Sequence, residues 1–178
     1  LRYRSLTTTA STLTASLALP LDLSIASLEI NRLEISGLPA IEKLRLEYSG
    51  GRSRHDIRLL QTESEGWVVD GKLQISTQRP YPIQGQLQAL RGTTAMALQA
   101  KATVAGTLEE LRTVLTGSGR GASLNASATI RPYDTQVLTG FTAEARELDL
   151  SAWITEAPRT RLTLDAQAET DKGQLNGR

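Results

Sequence analysis

His55 is the only histidine in the chain, and with Asp56 next to it in GGRSRHDIR it is the first place to look for acid–base or metal chemistry. Neither chemistry fits the spacing. Adjacent residues on a strand point to opposite faces, so Asp56 cannot orient the imidazole. A lone histidine in a chain without cysteine offers no histidine cluster and no thiolate site. His55 is therefore expected in a solvated hairpin tip. The functional alternative for that tip is contact of Arg52, Arg54 and Arg58 with anionic head groups or a partner. TGSGRGAS, Thr116 to Ser123, spaces its glycines like a phosphate loop but lacks the Lys-Ser/Thr ending of a P-loop. Its third glycine is out of place for a dinucleotide fingerprint, and no crossover helix follows. It is read as a flexible hairpin loop. Glu109 with Glu110, and Glu63 with Glu65, are carboxylate pairs with no apolar surroundings to separate their pKa values. These residues point to a protein that is not an enzyme and has no metal, cofactor or catalytic group.

The elements around these residues carry more information. Hydrophobic residues make up 39% of the 178, aromatic ones only 4%, with one Phe, one Met and two Trp. The apolar material is aliphatic and small, whereas a compact core usually closes around rings burying about 150–250 Å² each. Trp67 and Trp153 are read as edge or end-cover residues, with a partner surface as the alternative. Twenty Lys and Arg against 19 Asp and Glu leave a net charge of +1 without long like-signed runs, which argues against a nucleic-acid surface. No apolar run is long enough for a membrane-spanning helix. The length suits one domain, and a start at Leu1 without a leader suggests that residues 1–178 are one segment of a longer protein.

Period-two alternation recurs along the whole chain. Leu17, Leu19, Leu21, Leu23 and Ile25 alternate with Ala18, Pro20, Asp22 and Ser24. The phase then changes at Ala26-Ser27 and Asn31-Arg32, where turns or bulges are expected. Leu44, Leu46 and Tyr48 share a face; Ile57 and Leu59 return; Trp67, Val69, Leu73 and Ile75 line the next strand. Ile83, Leu87 and Ala89 are followed by Met96, Leu98, Ala100, Ala102 and Val104, with Gln84, Gln86, Gln88, Gln99, Lys101 and Thr103 on the wet side. Leu124, Ala126, Ala128 and Ile130, then Leu162, Leu164, Ala166 and Ala168, complete the series. Gly106 to Leu115 fits a helix through its Thr107–Glu110 capping-box spacing and fits a strand equally well. Ser151 to Ile154 predicts one helical turn before Pro158. RPY occurs at Arg79 to Tyr81 and again at Arg131 to Tyr133, a hint of a repeat of roughly fifty residues. The expectation is an all-β, mainly antiparallel sheet with one aliphatic face. It either closes into a barrel or sandwich, or curls into an open trough.

The stretch Leu19 to Leu90 resembles the amino-terminal periplasmic region of the TamB family, AsmA-like proteins of the bacterial translocation and assembly module. The resemblance is carried by Pro20-Leu21 before an alternating run, Gly71-Lys72-Leu73, and Pro80-Tyr81-Pro82-Ile83. VAGTLEELRTVLTGSG and ATIRPYDTQ…ELDLSAW are similar to later steps of the same family. This resemblance implies an elongated, taco-like sheet with an apolar interior, in the periplasm, as part of an inner-membrane-anchored protein of a Gram-negative bacterium. It implies phospholipid acyl chains as the occupants of the groove and a role in outer-membrane biogenesis. The alternative it implies is a scaffold for outer-membrane protein or autotransporter assembly with a TamA-like barrel partner. The aliphatic residues above would line the groove, and Leu98 in mid-trough would tolerate a charge that a closed core would not.

Overall fold

The computed structural model describes residues 16–34, 40–92, 97–134, 137–154, 156–171 and 174–177. Eleven strands follow one another: β1 Leu23–Leu33, β2 Ile41–Gly50, β3 Arg54–Ser64, β4 Trp67–Ser76, β5 Pro82–Arg91, β6 Leu98–Thr107, β7 Leu111–Gly119, β8 Ala122–Ile130, β9 Leu138–Leu148, β10 Leu162–Asp171 and β11 Gln174–Gly177, with one helical turn, α1 Leu150–Trp153, between β9 and β10. Each strand pairs antiparallel with the next, and the sheet order is the chain order. β1 and β11 stand at opposite ends with one neighbour each, so the sheet is open and not a barrel. Ten steps at about 4.8 Å make it about 48 Å long.

The turns explain why so regular a ladder forms. At Glu65-Gly66 and Arg120-Gly121 both central residues have positive φ (46° and 80°, 54° and 80°), the type I′ geometry whose twist matches the flanking strands. TGSGRGAS is thus strand, tight turn and strand, not a flexible loop. The capping-box spacing of Thr107 and Glu110 is also used in a hairpin. The Glu110 N–H donates to the Thr107 carbonyl at 3.1 Å, and the Thr107 N–H donates back to Glu110 at 2.8 Å, so Leu111 starts a strand. The phase change after Ile25 is a bulge between Ile25 and Leu28, which keeps Leu28 and Ile30 on the face that Ile25 occupies.

The start of the first alternating run is placed differently from the expectation. Leu17, Leu19 and Leu21 precede β1. Pro20 has no N–H to give a ladder, and the segment crosses strand ends instead. Leu17 N–H donates to the Thr77 carbonyl at 3.1 Å and Leu19 N–H to that of Gly51 at 3.0 Å. Met96 lies outside the described residues. The two RPY triplets occupy equivalent places, after β4 and after β8, but Tyr81 is fully buried while Tyr133 is exposed. A single layer has little interior: the buried hydrophobic residues are Tyr81, Ile83, Leu98, Ala122, Ala143, Ala145 and Leu148.

Candidate functional site

Directly opposed residues in an antiparallel ladder share a face, and the register joins the aliphatic positions into continuous rows. One row runs Leu28, Leu46, Leu59, Gly71, Leu87, Ala102, Leu115, Ala126, Ala143, Ala166, one residue from each of β1 to β10. The next runs Ile25, Tyr48, Ile57, Leu73, Gly85, Val104, Thr113, Ala128, Phe141, Ala168. Outside these lie a row with Leu23, His55, Ile75, Ile83, Leu111 and Ile130 and another with Val69, Ala89, Ala100, Gly117, Leu124, Ala145 and Leu164. None of the four contains Asp, Glu, Lys or Arg. Leu44 pairs with Ile30, Leu98 with Arg91 and Leu162 with Leu148.

The opposite face is charged and polar in register. Arg45 Nε donates to Glu29 at 2.8 Å, Arg58 to Glu47 at 3.4 Å, and Gln74 Nε2 to Asp56 at 2.6 Å, each pair directly opposed. Exposed pairs of this kind contribute at most about 1 kcal/mol each. Their larger effect is to penalise a one-residue slip, which would turn every aliphatic side chain outward.

Among the described residues no second layer covers the centre of the apolar face: Leu87 is 45% exposed and Leu115 39%. Between Ile57, Leu59, Leu73, Leu87, Ala102 and Val104 lies an open hollow of about 440 Å³. Its floor is low because glycines oppose leucines. A Cβ on Gly71 would meet Leu87 Cδ2 and the Gln86 carbonyl, both at 2.5 Å, and one on Gly85 would meet Leu73 Cδ1 at 2.8 Å. Leu87 and Leu73 lie down over these glycines. Gly71, Gly85, Leu115 and Phe141 belong to the site although the sequence did not single them out as lining. The alternation through Leu111, Thr113 and Leu115 was the available signal, and it competed with a helix reading. Leu98 is 2% exposed, so it is not the open mid-trough position expected of it. It sits at the end of its strand, in line with the covered row of Trp67 and Arg91.

His55 is also not a solvated tip. It lies in β3, half-buried, stacked on Tyr48 with centroids 6.0 Å apart. Nε2 stands 2.9 Å from the Leu17 carbonyl, which can only accept, so Nε2 carries a proton; Nδ1 lies 2.8 Å from the Tyr48 hydroxyl. The pair ties the segment ahead of β1 to the sheet. Glu110 pairs with Arg131 at 2.6 Å and Glu63 with Lys43 at 2.9 Å, both at the surface. Among the described residues no group of His, Asp and Glu is placed to hold a metal ion, and no helix is long and apolar enough to cross a membrane.

Among the described residues, the segment Asp149–Ile154 is laid on the apolar face. Asp149 accepts from the N–H groups of Ser151 (3.1 Å) and Thr160 (3.0 Å) and from the Ser151 hydroxyl (2.8 Å). These donors, the Thr160 N–H foremost, hold its carboxyl below the ordinary aspartate range. Trp153 then reaches Trp67, centroids 5.7 Å apart. Comparison with family models, with curated proteins and with solved structures finds no match for this chain.

Proposed function

We propose that this chain is a segment of an apolar conduit in which phospholipid acyl chains lie along the rows of aliphatic residues, between the inner and outer membranes of a Gram-negative envelope. The observation that carries the reading is the pair of central rows, each spanning ten strands, with large side chains such as Leu28, Leu87 and Leu115 left partly in water. A monomeric sheet ordinarily buries such a face against another layer, and a long uncovered apolar strip marks a binding surface. Chain-like apolar matter matches its shape. Each methylene transferred from water contributes about 0.8 kcal/mol. Sliding one step along uniform rows changes that sum little, so an acyl chain is held yet mobile. Small residues, Ala100, Ala102, Ala126, Ala128 and Ala143, leave width that aromatic rings would fill, and no chemical step is required of any residue. The resemblance of Leu19 to Leu90 to TamB-like proteins supports the periplasm as the setting.

The test is photo-crosslinking in the envelope. A crosslinker at Leu87 should capture phospholipid, and one at the neighbouring outward-facing Gln86 should not; equal capture at both sites refutes the conduit. A second reading is favoured by the outer edge of β1, which has no partner strand among the described residues and offers backbone groups to an added strand. Here the chain scaffolds outer-membrane protein assembly with a TamA-like barrel partner. In that case crosslinkers along Leu28–Asn31 capture client polypeptide and Leu87 captures no lipid.

A further inference from the structure

In a sheet whose strands touch their sequential neighbours, Asp149–Ile154 makes a long-range contact. It leaves β9 and reaches β4 and β5. Trp67 Nε1–H donates to the Trp153 carbonyl at 3.3 Å, and the Arg91 guanidinium donates to the carbonyls of Ala152 and Trp153, both at 3.4 Å. Arg91 also stands over the Trp67 ring, 6.0 Å from its centroid. The Trp153 indole rests on the trough floor at β7. A Cβ on Gly117 would lie 2.7 Å from its Cη2, so the seat exists because residue 117 has no side chain.

The attachment is firm at one end and light at the other. The base is locked by Asp149 and Thr160: the Leu150 N–H donates to the Thr160 hydroxyl at 2.8 Å, and that hydroxyl donates to the Leu148 carbonyl at 3.1 Å. The tip is held by three hydrogen bonds at the long end of the range and by indole contact. A single turn of four residues has no stability of its own, and Ile154 beyond it is 55% exposed.

We propose that Asp149–Ile154 is a gate at one side of the trough: seated on Gly117, Trp153 occupies the part of the floor that an acyl chain would take along the outer row, and it lifts about its Asp149–Thr160 base when a chain enters. This rests on the conduit reading above. With Trp153 seated, the outer row is interrupted between Ala100 and Leu124, while the central row through Ala102, Leu115 and Ala126 passes beside it. Binding of a chain then works against the seated state, and the apparent affinity is reduced by the fraction of molecules in which the floor is free.

Both tryptophans of the chain are in the clasp, so the exciton band of the indole pair in circular dichroism reports seating. The probe is cis-parinaric acid, titrated into the full chain, into Gly117→Ala, whose added methyl meets the indole, and into Trp153→Ala. The gate predicts that the wild-type exciton band fades as the probe saturates. It also predicts that Gly117→Ala lacks the band without probe, and that both variants bind the probe about tenfold more tightly than wild type. Should Gly117→Ala fail to fold by its far-ultraviolet spectrum, Trp153→Ala carries the affinity comparison. Binding with the band intact, or equal or weaker binding by the variants, overturns the gate and leaves the conduit standing. Absence of binding by all three proteins overturns the conduit, and the gate with it.

Discussion

Thr62 is buried and its hydroxyl has no hydrogen-bond partner among the described residues. It follows Gln61, whose φ of 44° marks the bulge that shifts the β3–β4 register and turns Thr62 onto the apolar face opposite Val69. An orphaned hydroxyl costs about 1–3 kcal/mol, so Thr62→Val should raise stability by about 1 kcal/mol, read as a higher urea midpoint with unchanged slope; a lower midpoint would show that the hydroxyl is satisfied. Asp149 makes the opposite kind of prediction. Its folded-state pKa is lowered, first by the Thr160 N–H and then by Ser151. Its contribution is therefore complete above the ordinary aspartate pKa of about 4 and is lost as pH falls through the folded value. The midpoint difference between wild type and Asp149→Asn should be largest near neutral pH and shrink under acid. A difference that does not change with pH assigns the effect to packing instead.

At the scale of elements, glycine sets the depth of the trough. Gly71 opposes Leu87, and Gly85 opposes Leu73, in adjacent rows of β4 and β5. Because one close neighbour of a Cβ at Gly71 is the Gln86 carbonyl, backbone must move to admit it. Gly71→Ala should cost about 1–3 kcal/mol by overpacking, against the gain in strand propensity that alanine normally brings over glycine. A denaturation midpoint at or above wild type would show that Leu87 rotates away freely. The strands themselves were legible in the sequence wherever alternation ran without interruption, as in Gln84 to Ala89 and Ala100 to Val104. It failed where local chemistry served two structures. Thr107 and Glu110 close a hairpin with the same hydroxyl-to-N–H bond that caps a helix, and only the pairing of Leu111 with Ile130 and Gly106 decides between them.

For the whole molecule the decisive fact is one sheet with one face that no other layer of the described residues covers. Charge placed on that face should act by position. Leu87→Asp leaves its carboxylate in water, so the chain should stay folded and lose apolar-probe binding. Leu98→Asp buries an unpaired charge, costs roughly several kcal/mol and should unfold the sheet. Circular dichroism with probe binding checks both, and an unfolded Leu87→Asp would show that the face is covered. An acyl-chain ligand at a hundredfold its Kd should add about 2.7 kcal/mol. For a chain of this size that amounts to about 5–10 °C in Tm.

The amino-acid sequence is enough to establish that this protein is a succession of amphipathic strands. Side-chain alternation is a local property of an extended backbone and needs no partner to be read. It also determined which residues can share a face, since Leu44, Leu46 and Tyr48, or Ile57 and Leu59, are fixed relative to one another within one strand. Tertiary structure alone decided the rest. Whether eleven strands close or stay open depends on whether β1 meets β11, a relation between residues far apart in the chain that no local pattern encodes. Bulges at Ile25/Leu28 and Leu59/Thr62 decided that the rows stay in phase across strands. The same distance in sequence explains Trp153: its turn was legible, but its partners Trp67, Arg91 and Gly117 come from β4, β5 and β7, and its placement is set by those neighbours, not by the residue's own pattern.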